Sequence, residues 1–240
     1  MKNIEEIIGQ LAAEYNKEKY FQNDPIAFPK HFANLMKEGK ATLQDVEIAG
    51  IISAHLAWGR RDMIVRDCKR AFDEMKWKPY EYVMNGKYKD DDVSLHRTIK
   101  WSEFASICRR LKEIYTKNVT IENLSAQEIR VQIFGQKEDP KAANKKIHMF
   151  RRWMVRNDGI IDLGIWKNIS PSELVIPLDV HVHRSALNLG ITNRKGADYK
   201  TAEEITGYLK RIFPDDPCKG DFALFAYAVT MRENSEKKNK

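Results

Sequence analysis

Apolar residues recur along this chain at three- and four-residue steps, and strand-like alternation is nowhere sustained. Ile4, Ile7, Ile8, Leu11, Ala12 and Tyr15 share one face and predict a first helix over 3–20. Two prolines in YFQNDPIAFPKHF enforce a turn before a short helix that ends near Met36. The stretch Gln44–Trp58 is apolar almost all round, the mark of a central buried helix, with Thr42 or Asp45 as its cap. Met63–Met75 follows with a basic face of Arg66, Lys69 and Arg70, and Lys76–His96 reads as a surface loop. Helical spacing returns over Trp101–Tyr115, Ser125–Phe134 and Ile147–Val155, and Asn157–Pro171 is again loop. Thr201–Ile212, capped by Lys200 or Thr201, and Phe222–Met231, capped by Asp221, complete an all-α pattern without a fixed-period repeat.

One stretch departs from plain core helix. In LVIPLDVHVHRSALNLGI, the apolar run Leu174–Ile176 stops at Pro177, and Asp179 then opens a helix carrying Val182, Ala186 and Leu189 that Gly190 ends. Asp179 therefore falls at an N-cap, where its carboxylate accepts backbone N–H bonds and meets the positive end of the helix dipole. On spacing alone it is a capping residue.

Its surroundings add a resemblance. P-L-D-V-H-V-H-R-x-A-x-x-L-G, from Pro177 to Gly190, resembles the V-D-x-H-V-x-R-x-x-x-R-L-G segment of the helix-hairpin-helix DNA glycosylase superfamily. Two further segments resemble that superfamily in its own order. Asp45–Arg61 is similar to its early buried helix, which ends S-A-Q-x-x. Lys145–Val155, K-K-I-H-M-F-R-R-W-M-V, is similar to the helix that carries the catalytic lysine. Most of the chain also resembles an uncharacterised bacterial family related to these enzymes, through D-P-I-x-x-P, A-W-G-x-R, M-F-x-R-W-M-V-R, P-L-D-x-H and D-P-x-x-x-D-F-A-L-F. The superfamily's L-P-G-V-G hairpin is replaced by E-D-P-K-A-A-N-K-K, a loss shared with the archaeal oxoguanine glycosylase branch. A DNA phosphate would then rest on the helix N-terminus and on Lys141 or Lys145.

The resemblance implies a two-lobed all-α domain over 1–235 with a cleft between lobes. One lobe is formed largely by 45–140, the other by 1–44 and 141–235. It implies a DNA N-glycosylase and abasic lyase acting on an oxidised purine, with Lys145 as amine nucleophile and Asp179 as the carboxylate that stabilises a cationic sugar. Such an amine must be partly neutral, and a helix N-terminus with neighbouring cations favours that. Helical spacing places Lys146 nearer the apolar stripe of Phe150 and Trp153 and Lys145 at its edge, whereas the resemblance aligns Lys145 with the nucleophile; Lys146 is the alternative.

Around this pair the candidate substrate contacts are His55, Trp58, Arg60, Arg61, His148, Arg152, Trp166, His181 and Arg184. The arginines are placed to follow a phosphate backbone. Trp166, in a loop, is the better stacking surface for a flipped base, since Trp58 and Trp153 lie in apolar stripes. Asp179, His148, His181 and His183 also admit a metal-dependent hydrolase, but His181 and His183, two apart on a helix, diverge. No metal or cofactor is expected. A non-catalytic nucleic-acid binder on the same fold is the other alternative.

Composition narrows this further. The 240 residues, 42% hydrophobic and 31% charged, are enough for one sizeable core. A formal charge of +7 permits a polyanionic partner, and part of the excess sits in 236–240, expected as a solvated tail. Apolar runs are too short to span a membrane, and the start is amphipathic and acidic, unlike a signal peptide. Cys68, Cys108 and Cys218 lie far apart and form no zinc or disulfide pattern, which suits a reducing cytoplasm. A monomer is expected.

Overall fold

The computed structural model describes residues 3–21 and 23–238, with side chains as far as Ala228. The described residues are mostly helical, and their one sheet is a two-stranded hairpin. Helix α1 (Ile4–Tyr15) is followed by a 3-10 turn at Glu18–Tyr20, α2 (Ala27–Lys37), α3 (Leu43–Leu56), α4 (Arg61–Glu74) and α5 (Pro79–Asn85). The hairpin β1 (Ser94–His96) and β2 (Ile99–Lys100) leads into α6 (Trp101–Lys117). Next come α7 (Ala126–Glu128), continued by a π turn at Ile129–Ile133, then α8 (Lys145–Val155) and α9 (Val180–Asn188). Helices α10 (Tyr199–Ile212) and α11 (Lys219–Lys238) close the chain. The backbone of α11 crosses the first part of the expected tail 236–240, whose last two residues lie outside the described ones.

Helix α3 is the centre. Every residue from Asp45 to Leu56 is buried, and Thr42 and Asp45 form a reciprocal capping box, so both candidate caps act together. Packing α8 against it requires Gly50, where an added Cβ would lie 2.6 Å from the Phe150 ring. The same helix buries a carboxylate that its apolar pattern conceals. Glu47 accepts from Trp166 Nε1 at 2.8 Å, Tyr115 Oη at 2.9 Å and Thr120 Oγ1 at 2.5 Å. Burial pushes its carboxyl up, while these bonds hold it down.

Several local expectations are corrected. The first helix stops at Tyr15, not 20, because the chain tightens into the 3-10 turn before Asp24–Pro25. Lys76–His96 is not a surface loop: it contains α5 and β1, and buries Val83, Leu95 and His96. His96 pins it, through Asp67 Oδ2 at 2.8 Å and the Trp58 carbonyl at 2.9 Å. Asp198, rather than Lys200 or Thr201, caps α10 by accepting from the Thr201 N–H. Helix α11 begins at Lys219, so Asp221 lies inside its first turn and is not its cap. Among the described residues no helix is long and apolar enough to cross a membrane.

Candidate functional site

The loop before α8 determines where that helix starts. Between the π turn and Lys145 the chain is braced by side chains. Arg130 donates to the Lys137 carbonyl at 2.8 Å and to Asn144 Oδ1 at 3.0 Å, and Gln127 Nε2 donates to the Asp139 carbonyl at 2.7 Å. Asn144 then takes the left-handed conformation (φ 46°), and Lys145 becomes the first helical residue. Its spacing with Met149, Arg152 and Trp153 puts four residues on one face, and all four line a cavity of about 480 Å³.

Four other segments complete that cavity. Tyr15, Tyr20, Phe21 and Asp24 come from α1 and the turn after it, and Arg61 from the start of α4. Pro177, Asp179 and Val182 come from the start of α9, and Asp221, Phe222 and Phe225 from α11. Tyr15 stacks on Tyr20 with ring centroids 4.8 Å apart, and Phe21 meets Phe222 edge-on at 5.6 Å. Arg61 ties the turn down, donating to the Tyr20 carbonyl at 3.2 Å and lying 3.6 Å from Asp24. Each of the five short patterns that extend across most of the chain contributes a wall residue: Asp24, Arg61, Arg152, Asp179 and Asp221.

The wall carries three cations and three carboxylates between aromatic rings. Asp179 caps α9 through Oδ1 alone, which accepts from the His181 and Val182 N–H groups at 2.8 and 2.9 Å. Among the described residues Asp179 forms no ion pair, and the Lys145 ammonium meets only the Met149 thioether, at 3.5 Å. Burial pushes the Lys145 amine below its ordinary value; Asp179 and Asp221 oppose this, and Arg152 adds to it. Asp221 is fixed by Arg152 Nη1, 2.8 Å from its Oδ2. Burial raises its carboxyl to about 6 against the pull of Arg152, and the charge of Asp179 adds to the rise.

A buried ionic cluster supports this floor. Arg152 also faces Asp162 at 3.4 Å, and Arg156, one turn on, meets Asp162, Asp158 and Asp216 at 2.5, 3.2 and 2.9 Å. Both guanidinium groups lie over the Phe222 ring, at 4.7 and 5.1 Å from its centroid.

Of the residues singled out by sequence, Lys145, Asp179, Arg61 and Arg152 are brought together here. His55 and Trp58 are not. His55 is buried, bonds Glu103 at 2.9 Å and stacks on Phe134. Trp58 lies between α3 and α4 with Arg97 4.2 Å and Lys146 5.7 Å from its ring centre. Lys146 therefore belongs to this second cluster, donating to the His55 carbonyl at 2.5 Å; burial and the charge of Lys145 lower its amine to about 8. Trp166 is 1% exposed and bonded to Glu47, so the loop that carries it presents no stacking surface. That loop folds back onto α8, giving the Leu163 and Ile165 N–H groups to the carbonyls of Trp153 and Met154.

His148 is buried against Tyr199, and burial lowers its imidazole to about 4. His181 and Arg184 are exposed on α9, and Arg60 is exposed beside Asp62. His183 turns inward to the Arg194 carbonyl at 2.8 Å, so the two histidines of α9 diverge. Among the described residues no three His, Cys, Asp or Glu side chains are grouped to hold a metal ion. Asp221, Asp24, Phe222 and Phe225 were missed as site residues. The available signal was a charge set directly against an apolar run at Asp221–Phe225.

No curated protein and no solved structure matches the chain. A family model does, over residues 24–136 and 127–230, and these two stretches contain Asp24, Arg61, Lys145, Asp179 and Asp221. By that match the chain belongs to the family described as protein of unknown function, DUF2400.

Proposed function

We propose that this protein is a DNA N-glycosylase and abasic lyase, with Lys145 as nucleophile and Asp179 as the carboxylate that stabilises the cationic sugar. The observation that carries the reading is the convergence of a helix-start lysine and a helix-cap aspartate on one aromatic-walled cavity. At about 480 Å³ the cavity lies in the roughly 300–1,000 Å³ range of small-molecule sites. Its rings suit a flipped base, and an oxidised purine is the proposed target. The mostly helical chain is read as the two-lobed helix-hairpin-helix glycosylase fold, with the cavity in the cleft between lobes, acting as a monomer in the cytoplasm.

An amine of lowered proton affinity attacks C1′ as the base leaves, forming a Schiff base after ring opening. Asp179 holds one oxygen in the α9 cap, and its other oxygen accepts no hydrogen bond among the described residues. The test is base release and borohydride trapping across a panel of lesion duplexes. Asp179→Asn should slow base release by about 10²-fold or more, because a neutral amide no longer stabilises developing positive charge. Stability should barely change, since asparagine caps a helix as well as aspartate does, whereas Asp179→Ala costs about 1 kcal/mol. Full activity in Asp179→Asn would reduce Asp179 to a cap.

DNA affinity should be modest and salt-dependent. Arg60, Lys141 and Arg184 are exposed, and three phosphate contacts would lose about 40-fold in affinity between 50 and 200 mM salt. Binding should tighten on duplexes with an abasic or unpaired position, where flipping is less costly. Fluorescence anisotropy over that salt range checks both, and a flat response would remove the electrostatic groove. Binding without base release on any lesion would leave a non-catalytic binder.

A further inference from the structure

We propose that Asp221 relays one proton from the Lys145 ammonium to the departing base, an inference that rests on the glycosylase reading above. Besides Asp24, which faces Arg61, two carboxylates share the cavity with Lys145, and their surroundings divide the work between them. Asp179 Oδ1 accepts two backbone N–H groups at the start of α9, which ties that carboxylate to the helix cap. Asp221 has no such cradle. It is buried, accepts one bond from Arg152, and that guanidinium also serves Asp162.

The charged and titratable groups that face Asp221 are Arg152 and Lys145 on α8, Asp179 at the start of α9, and Cys218 in the preceding turn. Asp24 and Arg61 stand on other walls of the same cavity. Burial raises the Asp221 carboxyl to about 6 and lowers the Lys145 amine, which brings the two proton affinities towards each other. A base filling the cavity excludes water from both groups, and loss of hydration favours the neutral amine and neutral acid over the two charged groups.

The relay balances. An N–H bond of the ammonium breaks, its electron pair stays on Nζ, and an O–H bond forms on Asp221. Nζ then bonds C1′ as the glycosidic bond breaks and its electrons leave with the base. Asp221 gives its proton to the base and is again a carboxylate. The secondary ammonium on Lys145 carries the charge that the primary one brought.

The test compares the protein with Asp221→Asn on two duplexes, one carrying a lesion base and one an abasic site. Only the first has a leaving group to protonate. Base release should fall about 100-fold or more in Asp221→Asn, the usual scale of a lost acid–base group. Borohydride trapping on the abasic duplex should fall far less than base release, because that duplex has no leaving group to protonate. In the unmodified protein base release should be bell-shaped in pH with its acid limb near 6, and the variant should lack that limb.

Unchanged base release, or equal loss of both reactions, would overturn the relay while leaving the glycosylase reading in place. Absence of base release from the unmodified protein would end that reading, and the relay with it, before any variant is made. A measurement free of DNA and of the fold of Asp221→Asn complements these. Aspartate ¹³Cγ resonances should show the Asp221 midpoint rising by about half a pH unit or more in Lys145→Met, which removes an opposing cation. An unmoved midpoint would mean that the two groups share no proton.

Discussion

Lys145→Gln should abolish borohydride-trapped protein–DNA complex on abasic duplexes while leaving DNA binding within a few-fold. Glutamine keeps most of the stem and removes the amine that forms the Schiff base, along with one charge. The neighbouring substitution makes the test sharp. Lys146 is one residue away and its amine is also lowered, to about 8, so amine reactivity alone does not separate the two. Position does. Lys145 shares the cavity with Asp179, whereas Lys146 is turned about a quarter of a helical turn away, bonded to the His55 carbonyl and lying near the Trp58 ring. Lys146→Gln should therefore keep trapping, with its cost felt in the packing of the α3–α8 junction. Gel analysis of the trapped complexes settles the matter, and trapping that survives in Lys145→Gln and is lost in Lys146→Gln would move the site to the Trp58 cluster.

That division shows what periodicity can and cannot reach. Spacing places Lys146 towards the apolar stripe of Phe150 and Trp153 and Lys145 at its edge; in the structure Trp153 lines the cavity together with Lys145, and Lys146 is held at the α3–α8 junction by the His55 carbonyl. The helices themselves were legible for the same reason, because a face of apolar residues at helical steps is a local signal. Partners are not local. The patterns M-F-x-R-W-M-V-R and D-P-x-x-x-D-F-A-L-F are both plain in the chain, yet nothing in either says that Arg152 and Arg156 of one grip Asp221 and Asp216 of the other. Asp221 therefore read as a cap, and its place in the cavity was out of reach.

Trp166 and Lys76–His96 failed in the opposite direction. Both lie among glycines, prolines and charges and read as exposed loop. Buried polar anchors draw each segment inward, Glu47 for Trp166, and Asp67 with the Trp58 carbonyl for His96. Glu47 itself sits in a run of apolar residues, where a charge is more often read as a break in the pattern than as the hub of four hydrogen bonds. Buried polar networks are specified by three-dimensional complementarity, which composition and spacing do not carry.

The largest effect on stability should come from Arg156→Met. Arg156 is 2% exposed and gathers three carboxylates, Asp158, Asp162 and Asp216, that otherwise repel one another. Removing it leaves Asp162, fully buried, with only the Arg152 guanidinium at 3.4 Å. Breaking a buried pair from one side costs about 3–5 kcal/mol, which for a chain of this size is a fall in Tm of roughly 10 °C. The defect should depend on pH with a definite sign. Burial already raises the Asp162 carboxyl above its ordinary value, so its charged form is the destabilising one, and that cost grows as pH rises through the folded-state value. Losing Arg156 raises Asp162 further. The gap between variant and unmodified protein should therefore be wider at pH 7 than at pH 5, because acid favours the protonated, less costly form of Asp162. Adding Asp162→Asn to Arg156→Met should recover part of the loss at pH 7, because the buried charge then goes with its partner. Thermal unfolding of the three proteins at both pH values measures all of this. A loss under about 1 kcal/mol, or one independent of pH, would mean that water reaches the cluster and screens it.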